Sequence, residues 1–339
     1  MVLVWFLGLA AVATVCRLRR SKTSSEKKTG SAAKINEDLV AYSSQIICIR
    51  RAVESEQENP LFVDPLAAVL AGDYEGDGKR SPRISIRTKY FDDFLESAVS
   101  TGTVKQIVLP AAGMDSRAYR LVVPEDATTY EIDQEIVVET KEKLIAEASE
   151  AFVPKCHLKR IRADLNNKNW GEKLIEAGFK PSEPSVWLLE GLLYYLTEDQ
   201  VISLFQTIST LLTEESTLLA SLTRGSRKDN RGKRFNLRIK ACISVLSKLS
   251  VRFRDLTSSV SRCSMADIDK LDSKRPATAP SLTSKFKWSC DKPEEFFSSL
   301  NFTVVDSVPV GSEKANYGIW NRPDVSSVIY VSMKPRTGD

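Results

Sequence analysis

From Lys105 to Thr223 short apolar runs alternate with helix-period segments, and this rhythm constrains the fold more than any other feature of the chain. Strands are expected at 105–109, 128–132, 159–163, 185–190 and 216–222. Helices are expected between them, starting at 116 and spanning 135–148, 169–177 and 198–212. Strands joined through helices lie parallel, with right-handed crossovers, in a doubly wound sheet covered on both faces. A helix at 292–300 and strands at 302–308 and 326–333 follow; the last two read as an antiparallel hairpin at one sheet edge.

Two segments stand outside the rhythm. Helices read at 35–53, 66–71 and 84–99 precede the first strand, so residues 34–100 are expected to form a helical cap over a ligand pocket. Residues 224–285 are basic and Ser-rich, opening with Arg224, Arg227, Lys228 and Arg231. They read as a solvated helical insertion, the alternative being a surface that faces a partner or a phosphate.

At 339 residues the chain can bury a full core, and a net charge of +4 gives no global basic footprint, so no nucleic-acid partner is expected. The six cysteines are scattered without a Cys-x-x-Cys pair, which argues against a metal site or a disulfide framework and for buried thiols in a reducing compartment. His157, the only histidine, stands at the head of an expected strand and reads as a surface or strand-edge residue rather than a base.

Met1 to Cys16 is apolar and uncharged, and Arg17, Arg19, Arg20 and Lys22 follow it. The run is short for a span of about twenty residues. Basic residues after it would hold the body of the protein on the cytoplasmic side. Residues 1–33 are therefore expected to be a membrane anchor through 1–16 plus a Ser/Thr/Lys-rich linker, with an organellar presequence (plastid or mitochondrion) as the alternative.

The chemistry gathers at the expected strand ends, beyond which open α/β sheets bind ligands. Residues 106–117 read as a strand, a turn of Pro110, Ala111, Ala112 and Gly113, and a helix start. A dinucleotide site needs three glycines so that backbone amides reach a pyrophosphate. This turn has one glycine, and Pro110 has no N–H to donate. It suits a smaller, cationic nucleoside. Asp133, Asp164-Leu165 and Glu190-Gly191 end the next three strands, an acidic rim that would attract such a ligand. The competing reading of each acid is a helix N-cap or dipole partner.

With these residues in view, the chain resembles the leucine carboxyl methyltransferase-like group of S-adenosyl-L-methionine-dependent methyltransferases over residues 40–335. The resemblance rests on 108–120 (Val-Leu-Pro-Ala-Ala-Gly-Met-Asp-Ser-Arg-Ala-Tyr-Arg), on Tyr130-Glu131-Ile132-Asp133-Gln134, on Ala163-Asp164-Leu165, on 187–196 (Trp-Leu-Leu-Glu-Gly-Leu-Leu-Tyr-Tyr-Leu) and on Arg87-Thr88-Lys89-Tyr90-Phe91-Asp92. It implies a class I methyltransferase-like, mostly parallel seven-stranded sheet, making 34–339 the methyltransferase domain. It further implies that Arg87 pairs with the cofactor carboxylate, Gly113 lies against the methionine portion and Asp133 takes the ribose hydroxyls. Asp164 with the Leu165 backbone would hold the adenine edge, and Glu190 would face the cofactor's amino group or the transfer region. One departure stands out: Ala111 replaces the first glycine of the family's Gly-Ala-Gly, which a negative φ at that position would tolerate.

The reaction so implied is in-line methyl transfer to a small-molecule or protein carboxylate or hydroxyl. A carboxylate is ionised at neutral pH and needs no base, whereas an alcohol or phenol would need help with its proton from Glu190, Tyr194 or Tyr195. Glu190 and Tyr194 are thus the expected catalytic residues, although Tyr194 and Tyr195 also read as packing residues. Two other readings stay open: a nucleotide-dependent oxidoreductase, disfavoured by the missing glycines, and a non-catalytic membrane-tethered binding protein.

Overall fold

A computed structural model of the chain describes residues 39–73, 78–149, 151–225, 286–323 and 326–336. The helices are α1 (Leu39–Ser55), α2 (Ala67–Leu70), α3 (Pro82–Val99), α4 (Arg117–Arg120), α5 (Glu135–Ala146), α6 (Trp170–Glu176), α7 (Glu198–Ser209) and α8 (Pro293–Ser298). The strands are β1 (Gln106–Pro110), β2 (Thr128–Asp133), β3 (His157–Arg162), β4 (Ser185–Leu189), β5 (Thr217–Thr223), β6 (Phe302–Pro309) and β7 (Val328–Pro335), and each falls within one or two residues of its expected bounds.

The seven strands form one sheet in the order β3-β2-β1-β4-β5-β7-β6. β1 pairs in parallel with both β2 and β4, and β2 with β3. β7 is antiparallel to β5 and to β6, so the expected closing hairpin sits at one edge. Burial follows this order. β1 and β4 are buried at every position, as inner strands covered on both faces must be. The edge strand β3 instead alternates exposed and half-buried residues up to Ile161, with His157 exposed at its start. The opposite edge strand, β6, carries a bulge between Val304 and Asp306 that leaves Val305 61% exposed.

The chain divides inside β4 into two compact units, residues 1–187 and 188–339. In the first, α1 and α2 pack on the segment after β1. Cys48, Ile49, Leu66 and Leu70 share one apolar cluster with Met114, Ala118 and Tyr119. A second group of rings stacks edge to face, Trp187 on Phe179 at 5.8 Å and Phe179 on Tyr130 at 5.7 Å. Gln106 at the head of β1 closes the loop at Lys180, donating to the Lys180 carbonyl at 2.9 Å and accepting from its amide at 2.8 Å. In the second unit, α7 starts on a capping box in which Thr197 and Gln200 satisfy each other's backbone amides. The helix then buries Val201, Leu204, Phe205 and Ile208. Phe205 meets Phe297 of α8 at 4.9 Å and Phe302 of β6 at 5.2 Å.

Cys48, Cys156 and Cys290 are unpaired thiols. Burial pushes Cys48 and Cys290 up to about 11, so both stay protonated at neutral pH.

The expected membrane association is corrected. Among the described residues no helix is long and apolar enough to cross a membrane. The longest, α3, has 18 residues and carries Arg83, Arg87, Lys89, Asp92, Asp93 and Glu96, charges that a bilayer core penalises heavily. The apolar run 1–16 lies outside the described residues, and it is shorter than the roughly twenty residues a span requires. The linker up to residue 33 and most of the 224–285 insertion also lie outside them.

Candidate active site

The site begins where β1 stops. Its last residue is Pro110, and the chain then reverses through Ala111 at φ 54° and Gly113 at φ 51°. Two backbone bonds close the turn: Ala112 donates to the Ile132 carbonyl of β2 at 3.1 Å, and Asp115 donates to the Ala112 carbonyl at 2.9 Å. Gly113 has its side-chain space already taken, since a Cβ there would lie 3.0 Å from the Ser44 Cβ of α1. Ala111 does not have the negative φ that would tolerate it. It holds the left-handed conformation for which glycine is suited, a strain of about 1–2 kcal/mol for a residue with a Cβ.

Asp133 ends β2 and is 8% exposed. Its Oδ2 accepts the Gly113 amide at 2.6 Å and its Oδ1 accepts the Gln134 amide at 2.8 Å. The carboxylate therefore ties the tip of β2 to the turn after β1. One strand further, Ala163 donates to the Asp133 carbonyl at 2.9 Å, which sets Asp164 and the half-buried Leu165 beyond the end of β3. Asp164 Oδ1 accepts from the Asn166 amide at 2.9 Å and from Asn166 Nδ2 at 2.8 Å, an Asx turn. Neither acid is a helix cap: α5 starts from Gln134 and α6 from Asn169, both without a side-chain cap. Gly113, Asp133 and Asp164 thus form one contiguous rim at the carboxyl ends of β1, β2 and β3.

Arg87 lies half-buried on α3, next to a buried stripe formed by Thr88, Asp92, Leu95 and Val99. Asp92 is the charged member of that stripe, and its partners come from α4. Arg117 Nε donates to it at 2.8 Å, and Arg120 Nη1 and Nη2 donate at 2.6 and 2.8 Å. Arg117 also pairs with Asp115, whose Oδ1 accepts the Arg117 amide at 2.7 Å. Burial alone would raise the Asp115 pKa, but the charges of Arg117, Lys141 and Arg51 outweigh it and hold the carboxyl down at about 2. Ser116 Oγ donates to Asp64 Oδ2 at 2.6 Å, and Arg51 reaches both that oxygen at 3.1 Å and the Met114 carbonyl at 2.6 Å. The motifs singled out Asp115-Ser116-Arg117 without giving it a role, and Asp64 and Arg51 were missed. The stripe of Thr88, Asp92, Leu95 and Val99 carries a readable signal, because a carboxylate at an otherwise buried spacing requires a partner.

The remaining expected residues belong to the second unit. Glu190 is half-buried just after β4, and the next amide, that of Gly191, donates to Ser221 Oγ of β5 at 2.8 Å. Tyr194 is buried in a short 3-10 turn, Leu193–Tyr195. Its ring lies 4.3 Å from Phe286 and 4.9 Å from Tyr195, and its carbonyl accepts the Lys287 amide at 2.7 Å. Tyr194 and Tyr195 therefore act at least as packing residues, as the sequence allowed.

The donor set of the first unit fits a nucleoside bearing a ribose. A carboxylate offers about four lone-pair positions. Backbone amides occupy one position on each Asp133 oxygen and hold the carboxylate in place at the tip of β2.

The leucine carboxyl methyltransferase family model matches residues 45–209. A relative from Mycobacterium sp. (strain KMS) is 37% identical over 194 residues, covering 51% of this chain and 63% of that protein. One from Frankia alni is 35% identical over 216 residues, covering 59% of this chain and 73% of that protein. Both carry the name "Putative S-adenosyl-L-methionine-dependent methyltransferase". The chain thus spans less than two thirds of the length of the Mycobacterium relative. A solved DUF574 family protein from Streptomyces avermitilis covers 86% of this chain and 97% of its own at 12% identity, with a TM-score of 0.45. The family match and the Frankia relative establish that the chain belongs to the leucine carboxyl methyltransferase family of S-adenosyl-L-methionine-dependent methyltransferases.

Proposed function

We propose that the chain binds S-adenosyl-L-methionine and transfers its methyl group to a carboxylate or hydroxyl oxygen of a small molecule or protein. The observation that carries this reading is Asp133, a buried carboxylate at the end of β2 that the Gly113 amide already holds in place. When bound, the cofactor supplies a methyl group on a positively charged sulfonium, an activated leaving group.

The residues of the chain would hold and orient it. Asp133 accepts the ribose hydroxyls, and Asp164 with the Leu165 backbone takes the adenine edge. Arg87 presents a planar fork suited to a carboxylate. Gly113 gives the close backbone approach, and Glu190 takes the cofactor's amino group or the transfer region. For a carboxylate acceptor the protein contributes alignment and exclusion of water. For a hydroxyl acceptor, the Glu190 carboxylate would receive the proton, with Tyr194 helping through a hydrogen bond to the acceptor oxygen. Residues 34–100 serve as the cap in this reading, supported by the packing of α1 and α2 on Met114 and Ala118.

Titration calorimetry with S-adenosyl-L-methionine tests the assignment. The wild type should bind, and Asp133→Ala should lose about 1–3 kcal/mol through missing charge-assisted hydrogen bonds. Unchanged affinity in a folded Asp133→Ala protein would remove Asp133 from the site. A wild type that binds a nicotinamide dinucleotide instead would favour the oxidoreductase reading. Labelled methyl groups transferred in cell extract then identify the acceptor oxygen: alkali releases methanol from a methyl ester and leaves a methyl ether intact.

A further inference from the structure

We propose that Asp92 is a positioning residue for cofactor binding: through Arg117 and Arg120 it fixes Arg87 relative to Gly113 and Asp133. The inference rests on the roles proposed above for those three residues. It assigns a task to a buried ion network that neither the motifs nor the family match explains.

Asp92 and Arg87 share α3 and stand five residues apart, so about 7.5 Å of rigid helix connects them along its axis. At its other end Asp92 receives three hydrogen bonds from two guanidiniums of α4. α4 opens four residues after Gly113, and the three residues between are held as well. Arg51 binds the Met114 carbonyl, Asp115 pairs with Arg117, and Asp64 accepts from Ser116. Gly113 in turn grips Asp133. A continuous chain of directional bonds therefore runs from the helix that carries Arg87 to the carboxylate that ends β2.

Stability alone gives no reason for such a network. Asp92 and Arg117 side chains are each 3% exposed, and well-packed apolar residues often replace a buried ion pair without loss. Apolar contacts, however, do not fix angles. Two guanidinium forks on one carboxylate set distance and orientation together. In the network three carboxylates (Asp64, Asp92 and Asp115) face three guanidiniums (Arg51, Arg117 and Arg120). It acts as a brace. Its length sets the span between the group that meets the cofactor's carboxylate and the group that meets its ribose.

A ligand lacking the carboxylate separates this role from a general loss of structure. 5′-Deoxy-5′-methylthioadenosine keeps the adenine, ribose and sulfur of the cofactor, the sulfur as an uncharged thioether, and lacks the whole amino-acid portion, carboxylate included. Asp92→Asn keeps the shape of the side chain and removes its charge. It should weaken S-adenosyl-L-methionine binding about ten-fold while changing methylthioadenosine binding less than about two-fold, and the double variant with Arg87→Ala should bind no more weakly than Arg87→Ala alone. Arg120→Lys, which keeps the charge and loses the fork, should show the same selectivity with a smaller amplitude, and it takes over the test if Asp92→Asn fails to fold. Equal loss for both ligands, no loss for either, or full additivity with Arg87→Ala would overturn the proposal. If Arg87→Ala itself fails to distinguish the ligands, the role of Arg87 falls, and this inference with it. If Arg87→Ala distinguishes them and Asp92→Asn does not, only this inference falls.

Discussion

Ala111 is the residue at which sequence and backbone geometry disagree. The chain needs a positive φ immediately after Pro110 to bring Gly113 back against the tip of β2, and it does so with a methyl side chain in place. Ala111→Gly should relieve about 1–2 kcal/mol of strain, offset by roughly 0.4–1 kcal/mol from the greater freedom of glycine in the unfolded chain. The expected outcome is a small rise in the denaturant midpoint, whereas most glycine substitutions lower it; a clear fall would show that the strain is not there. The places of Gly113, in the turn after β1, and of Asp133, at the end of β2, were legible from sequence because each follows an apolar strand-forming run. Asp92 was not assigned because one chain does not reveal which distant guanidinium answers a buried carboxylate, although its place on the Thr88–Leu95–Val99 stripe marks it as needing one.

The strands were the most readable elements, because inner strands such as β1 and β4 are buried on both faces and show as unbroken apolar runs. The helix expected from residue 116 shrinks to the four residues of α4, since Leu121 turns to an extended conformation ahead of Pro124. Its short length is consistent with its role, as both of its arginines are committed to Asp92. At the other extreme α7 stands on its own signals, an apolar stripe and a capping box. Thr197→Ala should lower stability by about 1 kcal/mol, because the Gln200 amide loses its acceptor. Chemical denaturation measures this directly, and an unchanged midpoint would mean that water replaces the cap at no cost.

For the whole molecule, acid response follows from the ion network of the first unit. The folded Asp115 carboxyl sits at about 2 against an ordinary value of 3.8, so its contribution is complete above about pH 4 and is lost as pH falls toward 2. The shift corresponds to about 2 kcal/mol. Denaturation curves from pH 5 down to pH 2 should therefore fall more steeply for the wild type than for Asp115→Asn, and parallel curves would contradict the assignment. The sheet's doubly wound, mostly parallel character was legible from the alternation of strands and helices. The roles of residues 1–33 and of the insertion were not, because neither segment has a strand-helix rhythm that burial can enforce. The bulge in β6 has a further effect on this scale. An outermost strand that kinks at an unpaired residue is a poor template for a strand from a neighbouring copy, which disfavours edge-to-edge growth into fibrils at that edge.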